Sequence, residues 1–159
     1  MAKLAINGFG RIGRVALRIL LERSNLNVIA INDLASADEL AYLLKYDSVH
    51  GRLTGDIYAK DNYLYVNNQK IQIFNEKDPT KLPWKDLGVD IVFESSGHFL
   101  SKEQASKHLM AGARKVVISA PSTNDSADAT ICYGVNNQVY NQNMAVISTA
   151  SCTTNCIAP

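Results

Sequence analysis

The chain has 159 residues, enough for one domain with a substantial core, and 47% of them are hydrophobic against 19% charged. This balance excludes a disordered chain, and the net charge of +1 argues against a nucleic-acid partner, whose binding surface would concentrate lysine and arginine. No apolar run approaches the roughly 18 residues that span a bilayer, and no signal-peptide core precedes the first strand, so we expect no membrane partner. Three cysteines without a C-x-x-C pair favour a reducing, cytoplasmic compartment over a disulfide framework or a zinc site.

Strands and helices alternate along the predicted chain. Continuous apolar runs predict buried strands, and apolar residues at i, i+3, i+4 and i+7 predict a helix over 11–23. Two capping boxes predict further helices, one opened by Ser36 and Glu39 and one by Ser101 and Gln104. The predicted strands are 3–7, 27–32, 89–95, 115–119, 130–135 and 144–148, with a hairpin of 63–66 and 71–74 around "NNQK".

This alternation of apolar strands with helices is typical of a parallel sheet that is covered on both faces. Crossovers between parallel strands are right-handed, which favours a doubly wound topology. The predicted fold class is therefore α/β, a Rossmann-type doubly wound and mostly parallel sheet with a small β-hairpin insertion.

A glycine-rich stretch, "GFGRIGR" at 8–14, follows the first strand and contains G-x-G-x-x-G. At the carboxyl edge of such a sheet, Gly8 can make a tight turn, Gly10 lets a pyrophosphate approach the backbone, and Gly13 lets the helix pack on the strand. The helix N-terminus then offers unpaired N–H groups and a positive dipole end to the phosphates. Taken alone, the motif fits an ordinary glycine-rich turn equally well.

Asp33 ends the second strand, 20 residues after Gly13. A carboxylate there can accept hydrogen bonds from the ribose hydroxyls of adenosine and repel a 2′-phosphate, which favours NAD over NADP. The alternative for Asp33 is an N-cap or turn aspartate. The loop, the strand and the spacing together favour dinucleotide binding.

The predicted strand "MAVIS" is followed by two residues and then by "SCTTNC", which contains Cys152. Its hydroxyl and asparagine neighbours suit a helix start, where the dipole stabilises a thiolate. A nucleophile at this sheet edge, near a nicotinamide, suggests aldehyde oxidation through a thioester. The alternative is that Cys152 is a small buried residue. Cys132 is predicted to be buried on its strand, and Cys156 is predicted to be a packing residue.

Five stretches together resemble the glyceraldehyde-3-phosphate dehydrogenase family: "INGFGRIGR", "AINDL", "KYDSVHGR", "SAPS" and "SCTTNC". The resemblance runs from about residue 3 to residue 159, and "SCTTNC" is highly specific. It implies an NAD-dependent oxidoreductase of glycolysis that oxidises glyceraldehyde 3-phosphate, with inorganic phosphate, to 1,3-bisphosphoglycerate through a Cys152 thioester. It also implies a homotetrameric parent enzyme.

The resemblance implies individual roles as well. Cys152 matches the catalytic thiol, and Ser151 and Thr153 match groups that help to bind the phosphate of the substrate or the attacking phosphate. The cofactor-binding set, including the glycine loop, is Gly8, Gly10, Arg11, Ile12, Gly13, Asp33, Lys77, Ser96, Gly97 and Ser119. Residues 1–149 are then the NAD-binding domain, and 150–159 begin the catalytic domain.

The family's chain is about twice this long, and its histidine base belongs to the half that follows. None of His50, His98 and His108 matches that base, and each is predicted as a surface or packing residue. We therefore expect these 159 residues to bind NAD with little or no turnover alone, and to expose an apolar patch where the family's final helix packs.

Two alternatives stay open. The segment "DSADATICYGVN" at 125–136 differs from the family's usual Pro-Met-Phe and resembles the erythrose-4-phosphate dehydrogenase branch of the superfamily. The second alternative is a dinucleotide-binding module without chemistry, in which Cys152 is merely packed.

Overall fold

The computed structural model describes residues 1–23 and 25–159, which form a nine-stranded sheet with five α-helices. The strands are β1 (Ala2–Asn7), β2 (Leu26–Asn32), β3 (Ile57–Lys60), β4 (Tyr63–Val66), β5 (Gln69–Phe74), β6 (Ile91–Glu94), β7 (Lys115–Ile118), β8 (Ala129–Thr130) and β9 (Val146–Ser148). The helices are α1 (Arg11–Leu20), α2 (Ala37–Lys45), α3 (Trp84–Leu87), α4 (Lys102–Met110) and α5 (Cys152–Ile157). Short 3-10 turns occupy Pro79–Lys81, Thr123–Asp125 and Asn137–Val139.

The strand order is β3-β4-β5-β2-β1-β6-β7-β9-β8. The seven strands from β5 to β8 pair in parallel, whereas β4 pairs antiparallel with β3 and with β5. From β1 the chain adds β2 and β5 on one side and then β6, β7 and β9 on the other. The direction of winding thus reverses between β1 and β6, which confirms the predicted doubly wound Rossmann-type sheet.

Three buried clusters of apolar side chains cover the sheet, and the two larger ones lie on opposite faces. Leu4 and Ile6 of β1 belong to one cluster, together with Leu17 of α1 and residues of α2. Ala5, between them, belongs to the other cluster with Trp84 of α3. Because successive side chains of a strand point to opposite faces, α1 and α2 cover one face and α3 covers the other.

The helix boundaries follow the capping residues. Both predicted capping boxes are present, with the Ser36 and Ser101 side chains accepting from the N–H groups of Glu39 and Gln104. α1 ends at Leu20, three residues earlier than predicted. Its last turn tightens into i→i−3 hydrogen bonds, such as the one from the Arg23 N–H to the carbonyl of Leu20.

The hairpin insertion has three strands, one more than predicted. β4 and β5 confirm the predicted pair, and β3 adds to the other edge of β4. The two residues between β3 and β4, Asp61 and Asn62, both have positive φ, at 51° and 59°. This is the backbone of a type I′ hairpin turn, so "DN" between two apolar runs was the signal for β3.

The predicted strand over 130–135 is wrong beyond its first residue, because β8 covers only Ala129–Thr130. The Asn136 side chain takes the place of a strand partner. Its Oδ1 accepts from the Cys132 N–H at 2.8 Å, and its Nδ2 donates to the Thr130 carbonyl at 3.0 Å. Gly134, at φ +88°, then turns the chain away from the sheet.

Within residues 1–23 and 25–159, no helix combines the length and the apolar character needed to cross a bilayer.

Asp128, just before β8, joins the edge of the sheet to α4. Its Oδ1 accepts from the Lys102 ammonium at 2.5 Å, and its Oδ2 accepts from the N–H groups of Ala145 and Val146 at 2.8 and 2.9 Å. The hydrogen bond from Lys102, followed by that from the Val146 N–H, lowers the pKa of Asp128 below its ordinary value.

We expect Asp128→Asn to lower the free energy of unfolding by about 1–2 kcal/mol near neutral pH, because the amide has one acceptor oxygen and no charge. Since the folded pKa is depressed, this stabilisation is present above the unfolded pKa of about 3.9 and is lost as pH falls through the lower folded value. Urea denaturation from about pH 6 down to about pH 2 should show the difference in free energy of unfolding between wild type and variant becoming smaller. Asp56→Asn, in an exposed loop, is the control, and an equal loss in both variants would contradict the assignment.

Candidate functional site

A cleft of about 430 Å³ opens at the carboxyl edge of the sheet. The loops that follow β1, β2, β5 and β6 meet there, at the point where the winding reverses. Ligands of doubly wound sheets bind at this switch point. Five of the predicted cofactor residues line the cleft: Gly8, Gly10, Asp33, Lys77 and Ser96.

The three glycines of the first loop have different structural roles. Gly8 has φ +89°, and a Cβ there would lie 2.4 Å from the Cα and N atoms of Ser96. A Cβ on Gly13 would lie 2.3 Å from the Gly8 carbonyl oxygen, so this glycine brings α1 close to β1. A Cβ on Gly10 would meet no protein atom within 4 Å. The open side of the loop is therefore at Gly10, which lines the cleft.

The N-terminus of α1 is open beside this glycine. Gly10 is the N-cap, and in the described chain no side chain hydrogen-bonds to the first turn. Arg11 and Ile12, predicted to offer backbone N–H groups, form that first turn, and their side chains are exposed. α1 has ten residues, and its uncapped N-terminus presents N–H donors and the positive dipole end to an anion.

Asp33 links the loops that follow β1 and β2. Its Oδ2 accepts from the Phe9 N–H at 2.6 Å, and its Oδ1 accepts from the Ala35 N–H at 3.0 Å. Asn75, after β5, donates to the carbonyls of Asp33 and Ala35 at 2.7 and 2.8 Å. Each carboxylate oxygen has a second lone-pair direction, so the turn role of Asp33 leaves acceptor capacity for a ligand hydroxyl.

The opposite wall of the cleft is the loop after β6. The Ser95 hydroxyl donates to the Gly8 carbonyl at 2.7 Å, and the Ser96 hydroxyl accepts from the His98 N–H at 3.2 Å. Gly97 lies between Ser96 and His98 and has φ +79°. These serines fix the backbone of the wall.

The remaining predicted cofactor residues lie outside the cleft lining. Gly13 and Gly97 act on backbone geometry, as described above. Ser119 follows β7 and is half-buried, with its N–H bonded to the Glu94 carbonyl at 2.9 Å. It therefore lies on the sheet edge between the cleft and β9.

A larger groove of about 580 Å³ lies on the other side of α1, between that helix and the segment that follows α2. Arg11 is its only predicted cofactor residue; Tyr46 and Arg52 also line it. The pKa of Asp47 in this groove is lowered, mainly by the hydrogen bond from the His50 N–H. The groove lacks the glycine turn and Asp33, so the smaller cleft is the one with the features predicted for a dinucleotide site.

Cys152 is the first residue of α5 and is exposed, as is Thr153. Ser151 is the N-cap, and its Oγ accepts from the Thr154 N–H at 2.9 Å. The preceding residue, Ala150, is buried and has φ +60°, an uncommon conformation for a residue with a side chain. The thiol thus emerges from a strand-to-helix elbow that is held by backbone and side-chain hydrogen bonds.

The elbow and the cleft occupy the same edge of the sheet. α5 follows β9, which is three strand positions from β1. At about 4.8 Å per strand, the two sites are roughly 14 Å apart along the edge. A ligand anchored in the cleft must therefore extend across the ends of β6 and β7 to approach the thiol.

The other cysteines differ in part from the predictions. Cys132 is buried as expected, but it lies in the loop after β8 rather than on a strand, with its Sγ 3.8 Å from the Thr154 carbonyl. Cys156 is exposed, so its predicted packing role is wrong. It lies one turn after Cys152, on the short helix that leaves the sheet edge.

The histidines bear out their predicted roles. His50 and His98 are exposed in loops, and His108 is fully buried on α4. Both ring nitrogens of His108 are hydrogen-bonded, to Trp84 and Glu94. Across the described chain, no group of three or more His, Cys, Asp and Glu side chains could hold a metal ion.

Of the buried polar side chains at this edge that the sequence analysis missed, three lie on the strands around the cleft. Asn7 and Asn32 end β1 and β2, and Glu94 ends β6. Each follows an apolar run, in "KLAIN", "VIAIN" and "IVFE". A polar residue that closes several neighbouring parallel strands was the available signal, because those strand ends meet at one edge.

Gly8→Ala should lower the free energy of unfolding by at least about 2 kcal/mol, since its Cβ would overlap the Ser96 backbone at a positive φ. Gly10→Ala is the matched control two residues away and should leave stability nearly unchanged. Thermal and urea denaturation of both variants measure the difference. A Gly8→Ala protein as stable as Gly10→Ala would show that the turn is not confined by Ser96.

Comparisons with known proteins agree with this geometry. The sequence model for the NAD-binding domain of glyceraldehyde 3-phosphate dehydrogenase matches residues 2–102. The whole chain is 56% identical to 47% of the glyceraldehyde-3-phosphate dehydrogenase of Clostridium acetobutylicum. It is 53% identical, over 99% of the chain and 47% of the relative, to that of Geobacillus stearothermophilus. For that of Thermotoga maritima, the values are 52%, 100% and 48%.

The chain spans about half the length of the curated relatives it matches. The match to the family's cofactor domain covers α1, the glycine loop, Asp33 and the wall after β6. The match to the Clostridium acetobutylicum relative spans all 159 residues, including the segment that contains Cys152. The chain therefore belongs to the glyceraldehyde-3-phosphate dehydrogenase family, and its first part is that family's NAD-binding domain.

Proposed function

We propose that these 159 residues bind NAD in the 430 Å³ cleft. We further propose that the protein to which they belong catalyses the phosphorylating oxidation of glyceraldehyde 3-phosphate to 1,3-bisphosphoglycerate. One observation carries this proposal: a single sheet edge presents both an uncapped helix N-terminus beside Gly10 and an exposed thiol at Cys152.

The cleft fits each polar part of the dinucleotide. The open space over Gly10 leaves room for a pyrophosphate, and the first-turn N–H groups of α1 supply its donors. Asp33 has acceptor capacity for ribose hydroxyls and a charge that disfavours a 2′-phosphate. Lys77, exposed at the rim, adds a cation on the adenosine side.

The cofactor supplies a hydride acceptor, and the chain supplies the nucleophile. In the proposed sequence the Cys152 thiolate forms a bond to the aldehyde carbon, which then loses a hydride and becomes a thioester. Inorganic phosphate attacks the thioester carbon, and the C–S bond breaks to give the acyl phosphate and regenerate the thiolate. The Thr153 hydroxyl is exposed beside the sulfur and can donate to a phosphate oxygen, whereas the Ser151 hydroxyl caps α5.

The three histidines support assigning only part of this reaction to residues 1–159. His108 is buried, with both nitrogens engaged, and His50 and His98 are exposed in loops. We therefore propose that residues 1–149 are the cofactor domain and that 150–159 begin the catalytic domain. Cofactor binding without full turnover is the expected behaviour of the 159 residues alone.

The substrate choice rests on the position of the segment that suggested the erythrose-4-phosphate branch. Asp128, Ala129 and Thr130 lie at β8, where Asp128 joins α4 to β9. That structural role explains the segment without any contact to substrate. The relatives named above carry glyceraldehyde-3-phosphate dehydrogenase as their name, and we propose the same substrate here.

We also propose a homotetrameric parent protein in the cytoplasm. Exposed Tyr42, Tyr46 and Val49 beside the larger groove support self-association, since clustered apolar side chains on a surface are typical of interfaces. The three free cysteines support a reducing compartment.

Calorimetric titration of the 159-residue chain tests the cofactor assignment. NAD should bind at least about tenfold more tightly than NADP, because the 2′-phosphate meets the Asp33 carboxylate. Gly10→Ala should weaken NAD binding by a similar factor while keeping its stability, since the added methyl occupies only the space left for the pyrophosphate. Undiminished NAD binding by Gly10→Ala would exclude this cleft as the site.

Alkylation by iodoacetamide tests the nucleophile, and Cys156 is an internal control on the same helix. Both thiols are exposed, but only Cys152 is at the helix N-terminus, where the dipole favours the thiolate. Near pH 7, below the ordinary thiol pKa of about 8.5, Cys152 should react several times faster than Cys156.

Mass spectrometry of the labelled peptides resolves the two rates, and bound NAD should change only that of Cys152. Equal rates for both thiols, unaffected by NAD, would favour the binding module without chemistry.

A further inference from the structure

A chain of buried hydrogen bonds crosses the sheet beneath the cleft, and the proposed chemistry does not use it. Its members, in order, are the Glu76 backbone, Asn32, Asn7, Glu94, His108 and Trp84. The five side chains in it are at most 5% exposed, and that of Glu94 is 1% exposed. Such a network is costly unless each donor meets an acceptor, so the direction of each bond can be worked out.

One end fixes the directions through the backbone. The Glu76 N–H donates to Asn32 Oδ1 at 2.8 Å, and Asn32 Nδ2 donates to the Glu76 carbonyl at 2.9 Å. Asn32 Nδ2 also donates to Asn7 Oδ1 at 2.7 Å. Asn7 must then present its Nδ2 to Glu94 Oε2, at 2.6 Å.

The other end fixes the directions through Trp84, whose indole N–H can only donate. Its partner, His108 Nδ1 at 3.0 Å, must therefore be the unprotonated nitrogen. The ring proton is then on Nε2, which donates to Glu94 Oε2 at 2.9 Å. In a doubly protonated His108, the Nδ1–H would face the N–H of Trp84, and neither could accept. The chain of hydrogen bonds therefore requires a neutral imidazole.

Glu94 is the acceptor on which both directions converge. Its Oε2 receives Asn7 and His108, while its Oε1 receives the Ser96 N–H at 2.8 Å and the Ser96 hydroxyl at 2.5 Å. In the part of the chain that the structure describes, no lysine or arginine pairs with it. The carboxylate is held by hydrogen-bond donors alone.

The bonds to Ser96 connect this carboxylate with the cleft. Ser96 belongs to the loop that forms the opposite wall and directly precedes Gly97. Its backbone occupies the space where a Cβ of Gly8 would be. Asn7, on the other carboxylate oxygen, immediately precedes Gly8 on β1. Glu94 therefore hydrogen-bonds both to the strand end before the glycine turn and to the opposite wall, although it does not line the cleft.

We propose that Glu94 is a positioning residue for the dinucleotide: as the common buried acceptor it sets the spacing of the two loops that hold NAD, and cofactor affinity depends on it. This inference rests on the proposed function, since it concerns the same cleft.

Glu94→Gln is the sharpest variant, because it keeps the shape and replaces one acceptor by an NH2 group. Whichever way the amide is turned, that group faces an N–H donor, from Asn7 and His108 or from Ser96. Titration with NAD, at a temperature where the variant is folded, should give a dissociation constant about tenfold higher, which corresponds to about 1.4 kcal/mol.

Asp128→Asn is the matched control, since it also removes a carboxylate that accepts several hydrogen bonds, but at the β8–β9 edge, away from the cleft. It should lose stability and keep the wild-type dissociation constant for NAD. An unchanged constant in Glu94→Gln, or an equal rise in both variants, would overturn the positioning role while leaving NAD binding by the wild type intact. A wild-type chain that does not bind NAD would overturn the proposed function and, with it, this inference.

Nitrogen-15 NMR of the wild-type chain tests the same proposal without a variant. The His108 ring should carry its proton on Nε2 and have an unprotonated Nδ1. Trp84 is the chain's single tryptophan, so its fluorescence should change when NAD is added, by way of His108 and Glu94. A doubly protonated ring, or a Trp84 signal indifferent to saturating NAD, would contradict the proposal.

Discussion

The close approach of Gly8 to the Ser96 backbone is the constraint on which the rest of this sheet edge depends. No side chain fits between the two loops, so the strands that carry them can meet at the reversal of winding and still leave a cleft above. Hydrogen bonds hold this contact on both sides. The Ser95 hydroxyl donates to the Gly8 carbonyl, and the Phe9 N–H donates to the Asp33 carboxylate. The glycine turn is thus part of a larger rigid arrangement, in which an open helix N-terminus is one component.

Much of this architecture could be predicted from the sequence because it depends on local signals. Continuous apolar runs marked the parallel strands, and the capping serines marked the starts of α2 and α4. The failures occurred where a side chain some distance along the chain decides the backbone. Asn136 bonds back to Cys132 and Thr130, and β8 includes only the first of the six residues in the predicted strand.

The site shows the same division. The glycine spacing, Asp33 and Cys152 were predictable, since a motif states both residue type and place. Asn7, Asn32 and Glu94 carry no motif of their own, and only the alignment of neighbouring strand ends makes them partners. Asp33 also shows that two interpretations of one residue can both hold. It is a turn aspartate by its contacts, and that turn is what leaves its remaining lone pairs toward the cleft.

Ala150 makes the position of the Cys152 thiol, the proposed nucleophile, depend on the folded state. A left-handed alanine is disfavoured by about 1–2 kcal/mol, so the short peptide around it would not adopt the elbow by itself. Hydrogen bonds to neighbouring strand ends impose it, from the Thr149 N–H to the Ile118 carbonyl and from the Ala150 N–H to the Ser148 hydroxyl. A chain that has lost this edge through fraying or misfolding no longer holds Cys152 at the start of α5, so the reactivity that we propose for its sulfur would measure the fraction of native protein.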